Sequence, residues 1–402
     1  MDRPKLRQVD RYELQRDDEE LLVVRDPLGL ADPFAIDADF KVVLDLLDGT
    51  KTLPQIRQSL LMRHSMDLPA DELATFVASL SEAGLLDDDN FRALWGDAHA
   101  DFLEDETRAP ILSGLLYPSD PAEATALLQS VLPARDDRFV AGTDVIGVVC
   151  PHGPPSDVAG LWDMTLRRLP PADAIDCVVV LGTDHGPGLL PYVVTAKSFS
   201  TPLGTVPSDV AFVEALERRV GWIRREEIRH RDAISIELAA VALRGLYGHT
   251  CPPIVAVLCG QTVLAPTDDD GDPAEDFVLA LDALAARRRV LWWVSAELSH
   301  CGPAYGHPAL SEDDLGHIIA RDGDVLDALA AGRAEEVALR CAAPHPQGRQ
   351  SGGPALTTAS RLWPVGYRAQ EICYELAAAP GDQPGRAGRA GLRIYAPLDD
   401  PA

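Results

Sequence analysis

Long apolar runs are missing from this chain of 402 residues, and none approaches the roughly 18 residues that a membrane-spanning helix needs. Positive charge is scarce. Lysine and arginine total 36 against 63 aspartates and glutamates, a formal charge of −27, which argues against nucleic-acid or anionic-membrane binding. The opening stretch MDRPKLRQVDRYELQRDDEE carries too much charge for a secretory signal, so a cytoplasmic location is expected. Paired cysteines are absent as well. Cys150, Cys177, Cys251, Cys259, Cys301, Cys341 and Cys373 are scattered without a CxxC, which excludes the usual structural zinc site and reads as buried free thiols. Neither GxGxxG nor GxxxxGK[ST] occurs, so nucleotide binding has no support, and no GxSxG elbow announces a serine hydrolase. Ser299 adjoins His300, but adjacent side chains on an extended segment point apart and do not form a nucleophile–base couple. No internal repeat stands out.

What is present divides in two. Up to about Asp89 the text is compact and helical. LLVVRDPLGL and PFAID read as short extended pieces. DADFKVVLDLLDG, TLPQIRQSLLMRHS and LPADELATFVASLSEAGLL read as three helices, with Thr52 as an N-cap and Leu73, Phe76, Val77 and Leu80 at helical spacing. Three short helices suggest a winged-helix-like unit over residues 18–95, and its third helix carries Asp71, Glu72 and Glu82 rather than the cations that DNA requires. A polar linker is expected over 96–107, then a second domain over 108–402.

In that second domain apolar strands alternate with helices. DVIGVVC, DCVVVLG, PIVAVLC and VLWWVS are strand-like; VAGLWDMTLRRL, DVAFVEALERRV and ISIELAAVALRGLYG are helical. The fold class expected is α/β, a largely parallel sheet with helices on both faces. The acidic run PTDDDGDPAED (266–276) reads as a solvated surface turn. Ligands of open α/β sheets bind beyond the carboxyl ends of the strands. Three predicted strands run into a histidine there: His152, His185 and His300, with Asp184 and Glu297 close by in sequence. Imidazoles converging with a carboxylate suit a divalent transition metal, and two histidines with one carboxylate typify non-haem iron. Loop histidines capping backbone carbonyls are the bland alternative.

Two resemblances extend this reading. LLDGTKTLPQI followed by LPADELATFVASLSEAGLLDD resembles the PqqD-like family, small domains that present peptides to radical SAM maturases. From RAPILSGLLYPSDPAEATALLQSVL to the end, the chain resembles the MEMO family, whose bacterial members are also called AmmeMemoRadiSam system protein B. The landmarks run in order: GLLYPSDPAE, PHG at 151–153, LGTDHG at 181–186, STPLGTVPSD, SIE at 235–237 and SAELSHCGPAYG at 295–306. The resemblance implies the fold of the extradiol ring-cleaving dioxygenase superfamily and a metal held by two histidines and a cysteine. His152 and His185 match the histidines, and Gln350 of QSGGP stands at the cysteine position. Ile234 replaces a further pocket histidine before Ser235 and Glu237, and Glu297 replaces an aspartate.

The expected site is therefore His152, His185 and Gln350 around one divalent ion (iron first, then zinc or copper), with His300, Glu297 and Glu237 as catalytic groups. Because Gln350 is a weaker donor than a thiolate, the ion is either held in an altered site or lost, with Glu297 and Cys301 as substitute ligands. Two functions follow from the resemblance. One is redox or oxygenase-like chemistry on a small molecule or peptide. The other is an inactive adaptor carrying a peptide or protein to a radical SAM partner through the N-terminal domain. A radical SAM protein and an AMMECR-type protein are the partners implied; nucleic acid and membrane are not.

Overall fold

A computed structural model describes residues 2–16, 19–134, 145–186, 188–264, 272–379, 381 and 383–397. Most of the acidic run expected as a surface turn lies outside these residues; of its end, Asp272 caps the helix that follows by accepting from the Ala274 amide. The structure falls into two compact units, Met1–Glu104 and Asp105–Ala402.

The first unit opens with an antiparallel sheet, β1 (Asp10–Arg16), β2 (Glu19–Arg25) and β3 (Phe34–Asp37), in that spatial order. Helices α1 (Lys41–Leu46), α2 (Leu53–His64), α3 (Ala70–Glu82) and α4 (Asp89–Glu104) follow. Thr52 starts α2 in a capping box with Gln55, whose Oε1 accepts from the Thr52 amide at 2.9 Å. Leu73, Val77 and Leu80 of α3 turn inward onto Ile56 and Leu60 of α2 and Leu22 and Val24 of β2. Residues before 18 belong to this unit, since Lys5 and Leu6 bridge to Asp48 and Leu86. The polar stretch expected as a linker is helical as far as Glu104, because α4 carries it.

The second unit is the α/β body. Its elements are β4 (Thr107–Arg108), α5 (Pro121–Val131), β5 (Val145–Cys150), α6 (Ala159–Leu166), β6 (Cys177–Thr183), β7 (Tyr192–Thr195), β8 (Ser198–Phe199), α7 (Val210–Glu217) and α8 (Ile234–Tyr247). Then come β9 (Ile254–Cys259), α9 (Pro273–Ala285), β10 (Val290–Ser295), β11 (Ser299–Cys301), α10 (Glu312–Ala330), α11 (Ala334–Ala342), β12 (Gly348–Gln350), α12 (Gly353–Leu362), β13 (Arg368–Ala378) and β14 (Arg386–Tyr395).

The main sheet runs β12-β11-β14-β5-β10-β6-β9-β7, with β13 paired to β14. Its centre, β5-β10-β6-β9, is parallel, and the strands outside it pair antiparallel. The central strands are apolar on both sides because both faces are covered. Val179, Leu181, Val255 and Val257 face Phe212, Phe277, Leu281, Val325 and Leu356; Val178, Val180, Ile254 and Ala256 face Leu128, Trp162, Ile236 and Leu243.

Candidate functional site

The register of the central strands sets the site. On β10, Ser295 lies level with Cys150 of β5 on one side and Gly182 of β6 on the other. Two or three residues past that line the strands deliver His152, Glu297 and His185. Strand ends here are locked by hydroxyls: Thr183 Oγ1 donates to Ser295 O (3.1 Å), Ser235 Oγ to Thr183 O (2.7 Å) and Ser295 Oγ to Ser235 O (2.7 Å). Gly182 is required at this level, since a Cβ there would come within 2.6 Å of Ser235 Oγ and 2.5 Å of Ile236 Cδ1 on α8.

His152 and His185 meet above β10, their Nε2 atoms 2.9 Å apart. His152 is buried, while His185 is exposed. Desolvation holds both imidazoles below their ordinary value of 6.5; the neighbouring Glu297 carboxylate partly offsets this at His152, and His152, His300 and Arg349 add to it at His185. Both rings are therefore neutral at pH 7.

Behind them lies a charged relay. His300 Nε2 donates to Glu297 Oε2 at 2.9 Å, and Arg389 Nε from β14 donates to Glu297 Oε1 at 2.9 Å. Burial alone would raise the Glu297 carboxyl; the His300 hydrogen bond with His152, His300 and Arg389 nearby overrides it and brings the group down to about 2. Tyr305 stacks on His300, ring centroids 4.5 Å apart. The His185 segment is pinned from beneath, where Asp184 pairs with buried Arg229, which also reaches Glu226 at 2.5 Å and donates to Leu190 O at 3.2 Å.

Two expected site residues have other partners. Glu237 accepts from Arg108, the Ile111 amide (3.0 Å), the Leu112 amide (2.8 Å) and the Tyr117 hydroxyl, so it ties the segment entering the second unit to α8. Gln350 lies opposite Ser299 in the β11–β12 pairing, as Arg349 lies opposite His300. Alternation therefore puts Gln350 with Ser299 and Cys301 on one face of the ribbon, and Arg349 with His300 on the other. Gln350 Nε2 donates to Asp322 Oδ1 (2.8 Å) and Ser299 Oγ (3.0 Å), and Asp322 also accepts from Tyr374 (2.9 Å). Its Oε1 is buried without a hydrogen-bond partner among the described residues. Cys301, on that same face, has its thiol pushed up to about 11 by burial, with Asp322 adding to the rise. Among the described residues, no group of three His, Cys, Asp or Glu side chains is close enough to chelate an ion.

Arg389, Arg229 and Arg349 are not legible as site residues, because arginines in mixed text read as surface, and Tyr305 carries no signal of its own within SAELSHCGPAYG. The strand-end rule reaches His152, His185 and His300 but says nothing of β14, which returns antiparallel and brings Arg389.

The second unit is thus an α/β protein body with a parallel centre that carries two histidines and a carboxylate at its strand ends. Residues 108–343 match the family of Memo-like proteins, and the chain belongs to that family. It is 24% identical to a MEMO1 family protein of Aquifex aeolicus over 315 residues, 78% of this chain and 79% of that protein. It is likewise 24% identical to a MEMO1 family protein of Thermus thermophilus over 286 residues, 71% of this chain and 82% of its relative. With a MEMO1 family protein of Thermoplasma acidophilum identity reaches 32% over 158 residues, 39% of this chain and 57% of the relative. No helix among the described residues is long and apolar enough to cross a membrane.

Proposed function

We propose that this Memo-like protein holds one divalent transition metal ion between His152 and His185 and uses the cleft for redox or oxygenase-like chemistry on a small molecule or peptide. The observation that carries this reading is the approach of two neutral imidazoles, Nε2 to Nε2, at 2.9 Å. Two such nitrogens aimed at one point fit a borderline ion, iron first and zinc or copper next. A bound ion would supply Lewis acidity and, for iron or copper, a redox centre. The chain's own groups do the rest. His300 keeps a proton on Nε2 because the Glu297 carboxylate accepts it, and Arg389 fixes the other carboxylate oxygen. His300 is thus oriented to pass a proton to or from a ligand in the cleft. Gln350, tied to Asp322 and Ser299, enters as support for β11 and β12 rather than as a donor.

That placement of Gln350 also favours a second reading, an adaptor without catalysis. Its first unit would carry a peptide, in the PqqD-like manner, to a radical SAM protein, with an AMMECR-type protein as a further partner. Metal analysis of untagged protein separates the two. The catalytic reading expects near-stoichiometric iron, zinc or copper, falling at least tenfold in His152→Ala and His185→Ala. A parent that takes up no metal when supplied with each ion in turn leaves the adaptor.

A further inference from the structure

We infer that Arg349 is the anchor for a single carboxylate on the ligand that occupies the histidine cleft. The inference rests on the reading of that cleft as the ligand site. Arg349 sits directly across from His300 in the β11–β12 pairing, so its side chain leaves the ribbon on the cleft face. That is the face on which His300 bonds Glu297, and the Arg349 charge is felt at His185 and His307 as well. Its side chain is exposed and makes no ion pair or hydrogen bond among the described residues.

The other charges around the cleft are matched. Glu297 is paired with Arg389, and Asp184 with Arg229. Arg349 has no such counter-charge among the described residues. The complement is a monoanion, and the guanidinium fork fits the two coplanar oxygens of a carboxylate. A phosphate dianion would bring a charge too many beside Glu297. A cation held free at one site of a chain with a formal charge of −27 also draws small anions where the rest of the surface repels them.

The experiment titrates the full-length chain, stripped of metal by a chelator, with benzoate, benzamide, hexanoate, hexanamide and inorganic phosphate. The imidazole resonances of isotope-labelled histidine report binding at His185. Each carboxylate should bind at least fivefold more tightly than its amide. Arg349→Gln should erase that preference, and Arg349→Lys should keep part of it, with unchanged melting curves in both variants. A carboxylate preference indifferent to Arg349→Gln, no shift of His185 with either carboxylate, or tighter binding of phosphate would each overturn the assignment. Because no metal is present, this result stands apart from the metal reading. Ion uptake with no role for Arg349 sinks only the anchor, and an Arg349-dependent carboxylate site in a chain that takes up no ion sinks only the metal.

Discussion

Glu237 is buried with the Arg108 guanidinium, and four donors converge on its two oxygens. Replacing it with glutamine puts an amide NH2 against at least one backbone N–H that can only donate, whichever way the amide is turned, and leaves Arg108 without its counter-charge. Breaking one partner of a buried pair costs about 3–5 kcal/mol. Glu237→Gln should therefore lower the unfolding free energy of the second unit, read from urea melts, by that order while leaving metal content per folded molecule unchanged. A variant with parental stability would show that this cage anchors nothing. Glu297 answers differently. Its carboxylate borders the histidine pair, so Glu297→Gln should weaken metal uptake, read as a rise in the ion's dissociation constant, because two neutral imidazoles alone compensate a divalent charge poorly.

The centre of the sheet sets the level at which these side chains emerge. At Gly182 β6 passes close to α8, and a methyl there would strike Ser235 and Ile236. Overpacking of this kind costs typically 1–3 kcal/mol. Gly182→Ala should cost that much stability and disturb the Ser235–Thr183–Ser295 lock, with a matching loss of metal affinity that Glu237→Gln does not show. The central strands are plain in the sequence because burial on both faces makes VIGVVC, CVVVLGT, IVAVLC and VLWWVS nearly continuous apolar runs. The strands β11 and β12 span three residues each and carry no readable period. In β14, RAGRAGLRIY looks like a polar loop, yet Arg389 and Arg393 are buried, one on Glu297 and the other donating to Thr165 O at 2.9 Å. So His152 and His185 could be found from text alone, whereas Arg389 and Arg349 needed the antiparallel pairing. β1, DRYELQR, does not read as a strand, because its charged residues mask the pattern of an antiparallel sheet.

At the scale of the whole molecule, acid should act through buried histidine. His230 lies in the core of the second unit with Nε2 donating to Val193 O at 3.0 Å, and burial, with Arg108 and Arg229 nearby, outweighs that bond and pulls it down to about 3. The unfolded chain binds this proton near 6.5 and the folded one near 3, so stability is complete above 6.5 and erodes as pH falls towards 3. By pH 5 the loss is about 2 kcal/mol. Thermal melts of the parent and His230→Gln at pH 7.5 and pH 5 check this, since the change in overall charge is common to both. The parent should lose more between the two pH values, and equal slopes would contradict the assignment. The position of β14 has a temporal consequence as well. It lies between β5 and β11, with Val148 of β5 level with Arg393 of β14, so most of the second unit must be synthesised before β5 gains that neighbour. Until then the nascent chain carries an apolar strand with a bare edge, and the Glu297 carboxylate waits in water for Arg389. His152 and His185 leave the ribosome early, but the pocket they define closes only after Tyr395 has been made.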